Sequence, residues 1–183
     1  MPHGKRGGES MHVNPQVLII MGSNSDLPVM QEAADLLGQF DVPCEMRVSS
    51  AHRSPVKTAK LAAEAGERGV KVIIAGAGMA AHLAGVIASE TILPVIGVPV
   101  GGGALSGVDA LYSTVQMPGG IPVATMAIGK AGAKNAGVLA VQILALSDER
   151  LAQALRDYRR EMALDVERRD ADLQALRAVD EAH

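Results

Sequence analysis

The stretch Val17-Leu18-Ile19-Ile20-Met21-Gly22-Ser23-Asn24-Ser25-Asp26-Leu27-Pro28 decides the fold. An unbroken apolar run this short reads as a strand buried on both faces. It ends at Gly22 in small polar residues. A helical pattern then starts at Leu27, with Ser25 or Asp26 placed to cap it and Pro28 in its first turn. Strand, tight polar loop and helix together make one βα unit.

The unit recurs along the chain. Runs at Glu45–Val48, Val72–Ala75, Val95–Val98 and Val123–Ile128 read as further strands. Helical patterns cover Leu27–Phe40, Pro55–Arg68, Ala80–Glu90, Ser106–Val115 and Gly132–Leu146, and Ser54–Pro55 repeats the start signal. The alternation predicts an α/β fold: a parallel five-stranded sheet, apolar on both faces because helices cover both. No linker or repeat interrupts residues 16–147, which read as one domain. From Asp148 the composition turns to Arg, Glu, Asp, Ala and Leu. Leu151, Leu155, Tyr158, Met162, Val166, Leu173 and Leu176 then recur at helical spacing. Residues 148–183 are thus expected to be a helical extension of the same domain, packed on that domain or on a neighbouring copy. Residues 1–15 lack the apolar core of a signal peptide and read as a mobile leader, with Met11 an alternative start.

Composition narrows the function. The 183 residues are 48% hydrophobic but 2% aromatic, with 20 Gly and no Trp, which favours close backbone packing. A net charge of −3 argues against a nucleic-acid partner, yet leaves room for a small phosphorylated ligand held by one or two cations. Cys44, the single cysteine, excludes an intramolecular disulfide and suits a reducing compartment. The apolar stretch Val72–Val100 fails as a membrane span because His82, Ser89 and Glu90 interrupt it. A cytoplasmic protein without a membrane partner is expected.

In a doubly wound sheet, ligands bind outside the carboxyl ends of the strands. With strand order 2-1-3-4-5, three unusual loops become neighbours there. Gly22-Ser23-Asn24-Ser25-Asp26 offers hydroxyls and backbone N–H groups to a phosphate, and Asp26 could accept ribose hydroxyls; the same residues also suit an ordinary N-cap. In Ser50-Ala51-His52-Arg53-Ser54-Pro55, a histidine that can give and take a proton stands beside a guanidinium fork for phosphate. Gly76-Ala77-Gly78-Met79-Ala80-Ala81-His82-Leu83 fits a dinucleotide pattern, but no acid closes the following strand, so a small substrate without a dinucleotide fits better. His82 reads equally as a polar contact or as a helix-capping structural residue. His3, His12, His52, His82, His183 and Cys44 show no metal-ligand spacing, and neither a P-loop nor a G-x-S-x-G elbow is present.

GSNSD, SAHRSP and GAGMAAHLAG, in that order, resemble the class I N5-carboxyaminoimidazole ribonucleotide mutases. LPVIGVPV, ALSGVDALYSTVQMPGGIPVAT and AIGKAGAKNAGVLAVQIL extend the resemblance over residues 16–147. It implies a flavodoxin-like three-layer α/β/α sandwich, a homo-octamer, and an isomerase of purine biosynthesis that uses no metal or organic cofactor. It also implies roles: Ser23 and Arg53 on the substrate phosphate, Asp26 on the ribose, and His52 as general acid/base. His82 and the Gly76–Gly78 backbone would line the aminoimidazole and carboxylate pocket, with Ser25, Ser50 and Leu83 completing the contacts. In the family mechanism the histidine protonates the carbamate nitrogen, carbon dioxide leaves and is captured by C4, and the same histidine removes the C4 proton. Ala51, Ala77 and Ala80 would shape the water-poor pocket.

The chain departs from the family pattern at Met79 (usually Gly), Ala84 (usually Pro) and Gly101-Gly102-Gly103 (usually a polar segment). Met79 adds bulk near the expected pocket, and the triple glycine should loosen its loop. Two rivals stand beside this reading. The class II aminoimidazole ribonucleotide carboxylases usually carry Lys where Arg53 stands and lack the GAGxAAHL loop. A non-catalytic nucleotide-binding module could share the same fold.

Overall fold

The computed structural model describes residues 14–180. Residues 1–13, most of the expected leader, and 181–183 lie outside the described residues, as do His3, His12 and His183. In chain order the elements are β1 (Val17–Met21), a 3-10 turn (Asn24–Asp26), α1 (Leu27–Gln39), β2 (Cys44–Val48) and α2 (Pro55–Ala63). There follow β3 (Val72–Gly78), α3 (Leu83–Ser89), β4 (Val95–Val100), α4 (Val108–Val115), β5 (Ala124–Thr125), α5 (Lys130–Ala145) and α6 (Glu149–Asp180).

The strands form one parallel sheet in the order β2-β1-β3-β4-β5. Along β1 the side chains alternate between two cores, as a period of two demands. Val17, Ile19 and Met21 face α1, α5 and the start of α6, whereas Leu18 and Ile20 face α2 and α3. All five are essentially inaccessible. This is the flavodoxin-like three-layer sandwich, and burying each of these large aliphatics stabilises it by about 1.5–3 kcal/mol.

The edges differ from the expectation of strands apolar on both faces. In β2, Glu45 and Arg47 pair at 2.6 Å, and Arg68 also engages Glu45. An edge strand is covered by one neighbour only, so charges can stay partly solvated there. Cys44, half-buried on the same strand, has its thiol pushed up by burial, which keeps it in the unreactive form. At the other edge the expected six-residue strand shrinks to Ala124–Thr125. The backbone still follows β4 beyond it, but through separate bonds from Met126 N–H to Gly97 C=O and from Gly129 N–H to Pro99 C=O.

Helix starts and stops shift for local reasons. At the first loop Asp26 occupies the N-cap position of α1 without a side-chain cap bond, while Ser23 caps the preceding 3-10 turn: Ser23 Oγ accepts the Ser25 N–H, and Asp26 Oδ2 accepts the Ser23 N–H, a reciprocal capping box. Ser54 makes no side-chain cap on α2; its hydroxyl bonds the Ser50 backbone instead. α2 ends at Ala63 rather than Arg68, giving way to turns that reach Gly69 at φ 91. β3 runs three residues beyond Ala75, so Gly76-Ala77-Gly78 is strand and not loop.

α6 answers the question left open by its stripe. Leu151 and Leu155 are buried in the α1/α5 core, and Tyr158 meets Phe40 edge-on at 5.5 Å between ring centres. Farther along the same face, Met162, Val166, Leu173 and Leu176 are more than half exposed. Among the described residues no helix is long and apolar enough to cross a membrane.

Candidate active site

Because β1 lies between β2 and β3, the loops leaving all three strands emerge side by side. They enclose an open cavity of about 770 Å³ at the carboxyl edge of the sheet, within the usual range for small-ligand sites. Its lining includes Ser23, Ser25, Asp26, Ser50, His52, Arg53, Gly78, His82 and Leu83. Ala51, Ala77 and Ala80 are also there, so the small residues do bound the space.

Each loop is held by its own bonds. In the first, the capping box fixes Ser23 and Asp26, and Ser25 Oγ lies 2.9 Å from Ser23 Oγ. Two hydroxyls are thus bunched at the entry to α1, where the helix dipole favours an anion. Asp26 is only 9% exposed. Burial pushes its carboxyl above the usual range, against the opposing pull of the Ser23 N–H, the Ser25 hydroxyl and the Arg53 charge.

The second loop is a turn closed on Ser50. Its Oγ accepts the Arg53 N–H at 3.2 Å, while its N–H donates to Ser54 Oγ at 3.0 Å. Beneath it, the buried hydroxyls of Ser49 and Thr58 bond at 2.8 Å and satisfy each other. The turn projects Arg53 across to the first loop, where Nη2 donates to the Gly22 carbonyl at 3.2 Å. A cation and two hydroxyls therefore stand at one end of the cavity.

His52 leaves the same turn in the direction of the third loop. Its Nε2 lies 2.8 Å from His82 Nδ1, and the rings meet almost perpendicularly with centres 5.0 Å apart. His82 occupies the N-cap position of α3 but makes no side-chain cap bond. The side chain therefore meets His52 and not the free N–H groups of α3. A bond at this length needs one nitrogen protonated and the other not, so the charge state of either ring sets the tautomer of the other.

One expectation is corrected by position. Gly76 is buried in β3 and does not line the cavity. Its missing side chain makes room for Met30, since a Cβ there would sit 2.2 Å from Met30 Sδ. Leu83 borders the cavity but is 2% exposed, with its side chain in the α2/α3 core. Sequence reasoning also missed Val29, Val100 and Gly101–Gly103, which complete the lining. The position of Gly101–Gly103 directly after β4, beside β3, was the available signal. Met79, with φ 54 in the left-handed region, delays α3 to Leu83 and borders the same space. Among the described residues no cluster of His, Cys, Asp or Glu is placed to hold a metal ion.

Fold and site together define a doubly wound α/β protein whose cleft at the topological switch point carries an arginine, clustered hydroxyls and a histidine pair. The AIR carboxylase family model matches residues 16–165. The chain is 60% identical over 149 residues to N5-carboxyaminoimidazole ribonucleotide mutase of Bacillus subtilis, covering 81% of this chain and 91% of that protein. It is 55% identical over 163 residues to the protein of the same name in Mycobacterium leprae, covering 89% and 94%. The crystal structure of Treponema denticola PurE superposes with a TM-score of 0.79 at 29% identity, covering 87% of this chain and 98% of that one. The chain belongs to the AIR carboxylase family.

Proposed function

We propose that this chain is an isomerase of purine biosynthesis that converts N5-carboxyaminoimidazole ribonucleotide to the 4-carboxylated nucleotide, the activity for which its relatives are named. The observation that carries the reading at the site is the convergence of three loops on one cavity, with Arg53 and two hydroxyls at one end and the His52–His82 pair at the other.

Ser23, Ser25 and Arg53 hold the phosphate, and Ser50 shapes the turn that presents Arg53. Asp26 accepts from the ribose hydroxyls. The aminoimidazole and its carboxylate lie along Ala77, Gly78 and Ala80 toward His82. His52, as imidazolium, protonates the carbamate nitrogen while the C–N bond breaks and carbon dioxide leaves. C4 then attacks the retained carbon dioxide, and neutral His52 takes the C4 proton. Proton and carboxyl group are both conserved, so the cycle needs no external base. General acid–base catalysis supplies roughly 10²–10⁴ in rate, and confinement of carbon dioxide beside C4 supplies effective molarity. The bond from His82 gives the second ring a place in steering the His52 proton. The protein works in the cytoplasm as a homo-octamer, a state supported by the family resemblance and by the uncovered apolar residues of α6.

The test is a pair of assays without metal or ATP. One supplies N5-carboxyaminoimidazole ribonucleotide, the other aminoimidazole ribonucleotide with bicarbonate. Rapid conversion in the first alone is expected, and His52→Asn should abolish it while nucleotide binding persists. Efficient conversion in the second at modest bicarbonate would move the protein to the carboxylase reaction. Full activity in His52→Asn would sink the mechanism.

A further inference from the structure

The turn that carries His52 and Arg53 is tied down from beneath by two hydroxyls that lie outside the cavity. Among the described residues four polar side chains are buried: Asp26, Ser49, Thr58 and Thr114. Asp26 faces the cavity, and Thr114 bonds the Ala110 carbonyl of its own helix. Ser49 and Thr58, 2% and 0% exposed, instead join two elements, their oxygens 2.8 Å apart between the end of β2 and α2. Both are already enclosed within one chain, so assembly with further copies uncovers neither.

Proton count sets the direction of these bonds. Thr58 Oγ1 also lies 3.2 Å from the Ser54 carbonyl, which can only accept, so the single Thr58 hydroxyl proton goes there and Ser49 donates to Thr58. Ser49 is held in turn by the sheet, its N–H donating to the Met21 carbonyl of β1 at 2.9 Å. One oxygen of α2 thus receives the residue that precedes the turn and holds the residue that closes it. From Ser54 the bonds run on to Ser50, and from Ser50 to the Arg53 N–H. Among the described residues the His52 side chain bonds only to His82, so the turn's backbone sets where its ring stands.

Stability alone does not account for such a pair. Two apolar side chains of the same shape in its place cost little, whereas one hydroxyl left without its partner costs the full loss of hydration. What a buried directional bond adds is a single geometry. We propose that Thr58 is a positioning residue for His52: by bonding both Ser49 and Ser54 it fixes the separation of β2 and α2, and with it the reach of the His52 ring into the cavity. The inference rests on the mutase reading, in which His52 moves the proton. A misplacement of about 1 Å can cost roughly 10²-fold in rate. Arg53 is affected less, because its long side chain readjusts where the short imidazole arm cannot.

The experiment uses the full chain and N5-carboxyaminoimidazole ribonucleotide, with rates expressed per folded protein and thermal unfolding followed alongside. Thr58→Val keeps the shape of the side chain but leaves the Ser49 hydroxyl without an acceptor. Its kcat should fall about ten-fold or more while KM changes by less than about three-fold, and its melting temperature should drop. Adding Ser49→Ala removes the stranded hydroxyl: the melting temperature of the double variant should recover while kcat stays low. Thr58→Ser, which keeps the hydroxyl, should return kcat close to wild type. Wild-type kcat in Thr58→Val would overturn the proposal. So would recovery of kcat together with stability in the double variant, which would reduce the loss to one of folding. Thr58→Ser as slow as Thr58→Val would assign the effect to methyl packing, and a rise in KM as large as the fall in kcat would assign it to Arg53; either overturns the proposal. Should Thr58→Val fail to fold, the double and serine variants decide by the same criteria. Inactive wild type would refute the mutase reading and the inference with it, whereas failure confined to the variants refutes the inference alone.

Discussion

Asp26 shows how one residue serves two demands. Its carboxylate closes the capping box through the Ser23 N–H and faces the cavity, but it does so nearly buried. Burial raises its folded-state pKa above the value in the unfolded chain, despite its hydrogen bonds and Arg53. The folded state therefore binds the proton more tightly, so the stabilisation is present at low pH and is lost as pH rises through the raised pKa. Asp26→Asn keeps an acceptor for Ser23 without the buried charge. Its stability relative to wild type should increase between about pH 3 and about pH 7, measured by denaturant unfolding. The same variant should bind the nucleotide more weakly, by about 1.5–3 kcal/mol if a charged hydrogen bond to ribose is lost. A stability difference independent of pH would refute the electrostatic part of this account.

At the scale of the element, β3 illustrates what pattern reading misses. Its apolar run Val72–Ala75 is legible because burial on both faces leaves a continuous hydrophobic signal. Gly76 and Gly78 look like loop residues, since glycine is poor in strands, but both pair with β4. Gly76 is required by a side chain far away in sequence: Met30 of α1, wholly buried, fills the volume a Cβ would take. Met30 has no route to solvent, so Gly76→Ala should destabilise the fold by about 1–3 kcal/mol through overpacking. Combining it with Met30→Ala should recover part of that loss, giving a favourable coupling in a double-mutant cycle followed by denaturant unfolding. Strict additivity would show that the two residues do not share the space.

For the whole molecule, α6 is the feature whose role extends beyond the core. Its first turns are anchored by Leu151, Leu155, the Phe40–Tyr158 pair and a bond from Arg150 to the Phe40 carbonyl at 3.2 Å. Past Tyr158 the helix leaves the domain but keeps apolar residues on the same face, while Arg160–Asp157 and Arg169–Asp165 pairs support it along its length. Such exposed pairs contribute only about 0.3–0.5 kcal/mol each. The uncovered face fits the proposed assembly. Light scattering on the full chain should give the mass of an octamer at micromolar concentration; a monomer would refute it.

Taken alone, the sequence determined the βα alternation, the parallel sheet, the chemistry-bearing loops and the long last helix. These signals are local: an apolar run, a helical period or a Ser-Pro start is complete within a few residues. Only the tertiary structure decided that His52 meets His82 thirty residues on, and that Arg53 reaches back to Gly22. It also reassigned Gly76 to packing, cut the last strand to two residues and put Gly101–Gly103 on the rim of the cavity. Each of these depends on which segments the sheet order brings side by side, and the identity of a spatial neighbour is not contained in any local period.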